Sequence, residues 1–520
     1  MTKKILINLS FSIWPMLGYE LDFIQQQLNQ NNVVKILYCD GSPDFCTANK
    51  VKLLSNSKLN LVCNYCKSRL NKGIKWIDNK KNLIIESFDL LNVSQKKIIN
   101  EYCNLLKKKS EIDSEILNFL KNIDINLEDI IRTSIISETT STKYDHKHKN
   151  NFEIFKKISK LTIETYYSSL NHLNKFNADE IYIFNGRIYR YQPMLRIARS
   201  IVKKENTFVY EFPLYGFQNM MIVKNSHFAD LENISNELLK FNNSNYNLDN
   251  SDKENTAKKW IVERETGKNY DNDWYPWKKN QVVGSLPKEF NKSNFNITYF
   301  ASTETEFLGI PENEKNFGFK DNLNIIETIL QGINNKRNIS LIIKTHPLID
   351  NDTEINLIQM KKLQKKYPNM IIVKPKATVD SYELIKNSEL IVVMGSTIGI
   401  ESAFYKKNVI SLTNSPYMKF GATKRVVDAN ELKLLLNKCI NNNFEDFPSD
   451  NQKYSAAINF IHSIVNFNFK SKFLIKKSFK NETMIKNNIH YKISFNNITK
   501  FIYLFYASLR FILKKINIYI

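Results

Sequence analysis

Two rhythms of apolar and polar residues run along this chain, one typical of buried strands and one typical of amphipathic helices. Near the start, the apolar run Ile5–Leu9 predicts a strand, and Val33–Tyr38 predicts a second one. Between them, apolar residues recur at helical spacing and predict a helix over Gly18–Asn29. Strand, helix and strand in this order form a βαβ unit, whose strands are expected to lie parallel with a right-handed crossover.

The same alternation continues through the second half of the chain. The predicted strands are Ile297–Ala301, Ile339–Lys344, Met370–Lys374, Glu389–Met394 and Val409–Leu412. The helices predicted between them are Asn322–Ile333, Glu354–Lys366, Ser381–Lys386 and a stretch that opens at Ile398. Strands that alternate with helices in this way predict an α/β fold with a doubly wound parallel sheet.

Hydroxyl groups, glycines and one histidine follow three of these strands, where each strand ends. The loops are Ser302–Glu306, Thr345–Pro347 and Gly395–Glu401. Parallel strands place their carboxyl ends on one edge, so we expect the three loops to face one ligand. Small hydroxyl side chains and the N–H groups of a helix start suit a phosphate. A plainer interpretation of the third loop is an ordinary turn with a Ser or Thr helix cap. The candidate ligand-binding residues are Ser302, Thr303, His346, Pro347, Gly395, Ser396, Thr397, Gly399 and Glu401.

Charged and polar side chains also follow two predicted strands in the first half of the chain. Glu180–Phe184 is followed by Asn185, Gly186 and Arg187, and the strand Phe208–Tyr210 ends at Glu211. Their position at strand ends favours a role in ligand binding. The alternatives are a surface ion pair for Arg187 and a helix or turn cap for Glu211.

Composition limits the class of protein. The chain has 520 residues, of which 42% are hydrophobic, which indicates a globular protein of about two to four domains. Neither a GxGxxG nor a GxxxxGK[ST] pattern occurs, which argues against the usual dinucleotide and P-loop sites. The net charge is +22, but residues 461–520 hold eleven basic residues and one acid, giving 11 − 1 = +10. We therefore expect a basic tail and no nucleic-acid partner.

These patterns predict three segments. Residues 1–256 form an N-terminal domain, 257–460 a C-terminal domain, and 461–520 a basic amphipathic tail. In the tail, an apolar helix is predicted over Phe501–Ile512, flanked by lysines. It suits an anionic membrane surface, or alternatively packs across the domain junction with its lysines in solvent.

The start of the chain could pass for a signal peptide, but it lacks a small-residue cleavage site. We interpret Ile5–Leu9 as the first strand of a cytoplasmic protein. No stretch reaches the roughly 18 apolar residues of a membrane span.

Four cysteines lie close together in the N-terminal domain. Cys39, Cys46, Cys63 and Cys66 form the pattern C-x6-C…C-x2-C. In a reducing cytosol this clustering suggests a structural zinc, with an iron–sulfur cluster as the second option. The alternative is a set of reduced cysteines packed as small apolar residues.

The motifs together resemble a known family. T-H-P at Thr345–Pro347, D-S-Y-E-L-I at Asp380–Ile385 and G-S-T-x-G-x-E at Gly395–Glu401 look like the donor half of GT-B glycosyltransferases of bacterial surface polysaccharide assembly. The chain is similar to the capsular and lipopolysaccharide biosynthesis proteins. Their F-x-S-S/T-x-x-E pattern is matched by Phe300, Ser302, Thr303 and Glu306. Their N-G-R and their cysteine cluster also occur here. The likeness covers residues 4–66 and 180–412.

The resemblance implies two Rossmann-like doubly wound domains facing a cleft, with a nucleotide-sugar donor held mainly by the C-terminal one. It implies transfer from this donor to a glycan or lipid-linked acceptor, with Asn185, Gly186 and Arg187 on the acceptor side. The basic tail adds the expectation that the acceptor lies at the inner membrane surface. In such folds hydroxyls and a helix N-terminus neutralise the leaving phosphate without a metal, so no catalytic cofactor is expected. By position, Glu211 is the first choice for the base that the acceptor hydroxyl needs, and Glu306 the second. The acidic motif of related sialyl-type transferases is absent.

Three other functions stay open at this point. A sugar-nucleotide epimerase or a CDP-polyol phosphotransferase fits the same frame, and the epimerase would not need the basic tail. A membrane-surface binding protein without enzymatic activity would bind in a strongly salt-sensitive way and would tolerate His346→Ala.

Overall fold

The structure is a computed structural model that describes most of the chain. The described residues are 2–12, 16–44, 46, 61–123, 127–139, 149–201, 206–211, 220–244, 249–267, 281–307, 309–315, 317–333, 338–346, 353–375, 377–467, 469–478, 481–486 and 489–492. They divide into two compact units. The N-terminal unit holds the described residues up to 228 together with 469–492, and the C-terminal unit holds those of 229–467.

A six-stranded sheet is the centre of the N-terminal unit. Its strands are β1 (Lys4–Asn8), β2 (Val33–Tyr38), β3 (Leu83–Ser87), β4 (Glu180–Phe184), β5 (Thr207–Glu211) and β6 (Met221–Lys224). Their order in the sheet is β3-β2-β1-β4-β5-β6. All neighbours are parallel except β5 and β6, which are antiparallel. The helices of this unit are Met16–Asn29, Leu61–Trp76, Val93–Lys107, Ser114–Lys121, Leu127–Thr139, Lys149–Phe176 and Gln192–Ile201.

The C-terminal unit repeats this winding with a sheet that is parallel throughout. Its strands are β7 (Phe295–Phe300), β8 (Ile339–Lys344), β9 (Met370–Val373), β10 (Leu390–Val393), β11 (Asn408–Ser411) and β12 (Lys424–Arg425). They follow the order β12-β11-β10-β7-β8-β9. The helices are Leu231–Ser244, Asn250–Thr266, Pro311–Glu314, Asn322–Gly332, Thr353–Lys366, Ser381–Lys386, Ile398–Phe404, Ala429–Ile440 and Asp450–Asn466.

The prediction of two Rossmann-like doubly wound sheets is confirmed. In both units the strand order, counted from the first strand, is 3-2-1-4-5-6. The middle strands β1, β7, β8 and β10 are buried along almost their whole length, which explains why they could be recognised from apolar runs. The winding reverses between β1 and β4 and between β7 and β10. Open α/β sheets bind their ligands outside the carboxyl ends of the strands at this switch point.

The two units meet in sequence near residue 229, whereas the predicted boundary follows residue 256. The helices Leu231–Ser244 and Asn250–Thr266 both pack against the helix Asp450–Asn466 of the C-terminal unit. Phe241 and Phe467 lie edge to face at 5.5 Å, and the Tyr454 hydroxyl donates to Glu254 at 2.8 Å. These contacts tie both helices to the C-terminal unit.

The first part of the predicted tail contains strands that the sequence did not predict. Three antiparallel strands, β13 (Leu474–Ser478), β14 (Asn481–Lys486) and β15 (Ile489–Lys492), form a small sheet in the N-terminal unit. The buried Asp22 carboxylate anchors it by accepting from the amides of Phe473 at 2.8 Å and Leu474 at 3.0 Å. The helix predicted over residues 501–512 lies outside the described residues.

Within the part of the chain that the structure describes, no helix is both long and apolar enough to cross a membrane.

Candidate functional site

Two of the predicted loops lie side by side at the switch point of the C-terminal sheet. Ser302 follows β7 and Gly395 follows β10, and these strands are neighbours. The buried Ser302 hydroxyl donates to the Met394 carbonyl at 3.2 Å, which joins the two loops directly. The structure therefore brings these two predicted loops together.

Glycine is required at two positions of the second loop. Gly395 has φ +70°, and a Cβ there would lie 2.7 Å from the Asn414 carbonyl oxygen. A Cβ at Gly399 would lie 2.1 Å from the Tyr417 hydroxyl, which itself donates to the Ser396 carbonyl at 2.7 Å. These close approaches leave no room for a side chain at either position and fix the path of the loop.

The hydroxyl groups of the loops differ in what they contact. Ser396 Oγ accepts from the Ile398 amide at 3.3 Å in a local turn, while Thr397 at the helix N-cap makes no side-chain cap hydrogen bond. Thr397 Oγ1 accepts from Arg264 at 3.0 Å. Thr303 is half-buried and precedes a single 3₁₀ turn. Thr303 and Ser396 are therefore the hydroxyls best placed to donate to a ligand.

Glu401 has an internal partner on each of its carboxylate oxygens. It is only 1% exposed. Arg264 donates to one oxygen at 2.7 and 3.0 Å, and the Tyr382 hydroxyl donates to the other at 2.5 Å. The Arg264 guanidinium also stacks over Trp260 at 4.5 Å. These contacts among the described residues show that Glu401 holds the helix Ile398–Phe404 in place. Its contact with a donor stays a prediction.

The third predicted loop follows β8. The buried Thr345 hydroxyl donates to the Val373 carbonyl at 2.7 Å, so this side chain closes the strand end. His346 is half-buried and comes next. Pro347 lies outside the described residues.

Lys344, the last residue of β8, is a residue that the sequence reasoning missed. It is only 6% exposed and lies in register with Phe300 and Val373, so it shares their face of the sheet. Among the described residues its ammonium group has no hydrogen bond or ion pair. Burial lowers the pKa of Lys344 to about 8, although the charge of Asp380 opposes this. The signal in the sequence is a lysine closing the otherwise apolar strand ISLIIK.

In the N-terminal unit, the predicted acceptor-side residues and the predicted base are neighbours. The Asn185 side-chain amide donates to the Glu211 carboxylate, and the Asn185 backbone amide donates to the Tyr210 carbonyl at 2.8 Å. Asn185 and Gly186 both have positive φ, which turns the chain sharply after β4. Arg187 is half-buried beside them. The side chain of Glu306, the second predicted base, is outside the described part of the chain.

The four clustered cysteines show no metal-binding arrangement. Cys63 is buried against Gly41, and Cys39, Cys46 and Cys66 are half-buried. Across the described residues, no three His, Cys, Asp or Glu side chains are grouped so that they could hold a metal ion. The structural zinc therefore stays a prediction, without support from this arrangement.

A pocket of about 100 Å³ opens at the carboxyl ends of β2 and β3. Asp40 and Asp89 follow these two strands, Arg190 follows β4, and Glu164 projects from the helix Lys149–Phe176. None of these four residues was singled out from the sequence, because they come from segments far apart in the chain. Two of them, Asp40 and Arg190, come shortly after predicted strands, whereas the strand before Asp89 was not predicted.

Burial and neighbouring carboxylates change the protonation of this pocket. Burial, together with the charges of Asp44 and Asp89, raises the pKa of Glu164 to about 7, while Lys160 at 3.6 Å opposes the shift. Burial alone would raise the pKa of Asp40, but hydrogen bonds from Ser42 and Ser87 hold it below its ordinary value. Two carboxyl groups with different protonation thus line one pocket.

The comparisons with known proteins give likeness of structure only. No family model matches the chain, and no curated protein matches it. UDP-GlcNAc 2-epimerase from Neisseria meningitidis, bound to UDP-GlcNAc, is similar over 90% of this chain and 97% of its own, with 11% identity and a TM-score of 0.29. The KpsC beta Kdo 2,7 transferase of Thermosulfurimonas dismutans is similar over 63% and 86%, with 12% identity and a TM-score of 0.32. Anabaena HepE in complex with UDP-glucose is similar over 89% and 94%, with 12% identity and a TM-score of 0.27. At these values the likeness assigns no activity.

We expect Gly395→Ala to destabilise the C-terminal unit by about 3 kcal/mol, since positive φ and a backbone clash act together. Gly421→Ala is the matched control, because Gly421 has φ +74° and nothing lies within 4 Å of the position that a Cβ would take there. The control should lose only about 1 kcal/mol. Urea unfolding of both variants measures the difference. Equal losses would show that the Asn414 contact does not constrain the loop.

Glu164→Gln is expected to change how stability depends on pH. The raised pKa means that the folded state keeps a proton that the unfolded state loses, so wild-type stability falls as pH rises from about 4.5 to about 7. Glutamine removes this loss, and the variant should exceed the wild type at pH 8 by on the order of 2 kcal/mol while matching it at pH 4. Urea unfolding at both pH values measures this. Glu153→Gln, on the exposed side of the same helix, should change neither value.

Proposed function

We propose that this chain is a glycosyltransferase that moves a sugar from a nucleotide-sugar donor to a surface-polysaccharide acceptor of capsule or lipopolysaccharide. One observation carries the proposal. Loops with small and hydroxyl side chains adjoin at the switch point of the C-terminal sheet, and the same edge carries Lys344, a buried lysine without a partner among the described residues. This combination suits the phosphates of a nucleotide.

The donor would be held by positive charge and by hydroxyl groups, without a catalytic metal. The Lys344 ammonium would contact the phosphate, and Thr303 and Ser396 would donate hydrogen bonds to its oxygens. His346 would take the nucleotide ring or a further phosphate oxygen. When the sugar leaves, negative charge develops on the nucleotide phosphate, and a lysine in a dry site stabilises that charge more than it would in water.

The acceptor hydroxyl must lose a proton during transfer, and Glu211 remains our first choice for the base. Its contact with the Asn185 amide supports this role, because the amide orients the carboxylate. Glu306 is the second choice. We assign the acceptor side to Asn185, Gly186 and Arg187.

The acceptor is proposed to be a glycan, free or lipid-linked, at the inner membrane surface. The support is the charge of +10 on residues 461–520, which favours anionic lipid headgroups. This proposal implies that the protein is cytoplasmic and binds peripherally to that membrane.

A thermal-shift screen of the full chain with UDP-, GDP-, CMP- and CDP-linked sugars tests donor binding. One nucleotide class should raise the melting temperature of the wild type by several degrees, and Ser396→Ala should reduce that rise. The control is Ser402→Ala, whose hydroxyl donates to Ile398 within the same helix at 2.7 Å and should keep the full shift. No shift with any compound would reject the proposal. A thermal shift together with formation of an epimer of the sugar nucleotide in the absence of any acceptor would favour the epimerase function instead.

Nucleotide affinity should depend on pH through Lys344. Only the charged ammonium attracts phosphate, so affinity should fall up to tenfold per pH unit as pH rises above about 8, the pKa of the free site. Lys344→Met should bind weakly and without this decline. Lys407→Met is the control, because Lys407 donates to the Lys386 carbonyl at 2.7 Å and has no role in the site. Calorimetric titration between pH 7 and 10 measures the effect. A decline that survives in Lys344→Met would assign it to another group.

A further inference from the structure

The pocket of the N-terminal unit is separate from the proposed donor site and has the features of a second ligand site. It is closed by the helix Lys149–Phe176 and by the loops after β2, β3 and β4. Its volume of about 100 Å³ leaves room for about three water molecules at a liquid volume of about 30 Å³ each, so it can take one edge of a small polar ligand.

Arg190 is a buried cation in the lining of this pocket. It is 4% exposed, and its guanidinium stacks over the Phe88 ring at 5.0 Å. Among the described residues it has no hydrogen bond, and its Nε is fully enclosed. A buried guanidinium offers five N–H donors, and leaving them unused costs free energy. Because Arg190 also lines the pocket, its remaining donors are available to an oxygen atom of a ligand.

Carboxylates supply the complementary acceptors. Asp40 is oriented by the Ser42 amide and hydroxyl at 2.8 and 2.6 Å and by the Ser87 hydroxyl at 2.9 Å. Asp89 contacts the same Ser42 hydroxyl at 3.3 Å. Glu164 accepts or donates according to its protonation. Donors and acceptors around one small cavity match groups that do both, and these are the hydroxyl groups of a sugar.

The charge balance of the pocket favours a neutral sugar over a phosphate as its ligand. Four carboxyl groups line the pocket against two cations, Lys160 and Arg190. Lys160 is already paired with Asp44 at the rim. An added phosphate would meet more like charge than opposite charge, whereas neutral hydroxyls would not.

We propose that this pocket binds the terminal sugar of the acceptor glycan, with Arg190 donating to its oxygens and Asp40, Asp89 and Glu164 accepting from its hydroxyls. The assignment to the acceptor rests on the proposed function. Binding of a neutral sugar in the pocket does not.

Saturation-transfer NMR of the full chain with D-glucose, D-galactose and N-acetyl-D-glucosamine tests the pocket. At least one of these sugars should receive saturation from the wild type. Asp89→Asn, which keeps the shape of the side chain, and Arg190→Gln should each weaken binding about tenfold. Glu153→Gln on the same pocket-forming helix, outside the pocket lining, is the control and should bind as the wild type does.

The nucleotide-dependent thermal shift is measured on the same samples, which separates the two proposals. Loss of sugar binding with an unchanged nucleotide shift in Asp89→Asn supports the acceptor site. If both pocket variants lose sugar binding but no nucleotide stabilises the wild type, the sugar pocket is supported and the proposed glycosyltransferase function is rejected. Equal saturation in the wild type and both variants, or displacement of the sugar by inorganic phosphate, would overturn the pocket proposal. So would the absence of saturation for all three sugars.

Discussion

Parallel pairing of strands is the constraint on which both units depend. A parallel neighbour cannot be reached by a tight turn, so each strand is followed by a crossover, and the loops that leave the strands gather at one edge. For this reason Ser302 and Gly395 adjoin although most of a domain separates them in the chain. The same constraint brings Asp40 and Arg190 to one pocket in the N-terminal unit. The fold supplies the edge, and the side chains there decide what it can bind.

The two edges have opposite electrostatic character. In the C-terminal unit a buried lysine stands without a partner among the described residues, and in the N-terminal pocket carboxyl groups outnumber cations. Lys344 and Glu164 both have a pKa shifted toward the neutral form, because burial disfavours their charge. Such residues lower the stability of a fold, and their presence in a site is typical of ligand binding or catalysis. The contrast fits two ligands of different chemistry.

The sequence predicted the central strands of both sheets, because buried strands carry unbroken apolar runs that periodicity detects, whereas the edge strands β3, β6 and β12 were not predicted. It also located the loops at the switch point, since the position of a strand end follows from the strand. It did not identify what individual side chains contact. Glu401 was interpreted as a ligand residue, yet its partner Arg264 comes from a distant helix that no local pattern connects to it. Arg190 and Glu164 meet across segments that only the folded chain brings together. The strands from 474 to 492 escaped notice because their apolar residues are few and interrupted by lysines.

Because Asp22 anchors residues 473 and 474, the N-terminal unit is assembled from segments that are synthesised at different times. Helix Met16–Asn29 leaves the ribosome before the C-terminal unit does, but the strands that pack on it are made after that unit. The C-terminal unit, by contrast, is built almost entirely from one uninterrupted stretch and can close as soon as that stretch has emerged. Completion during synthesis therefore runs against the direction of translation, and the first unit to begin folding is the second to finish.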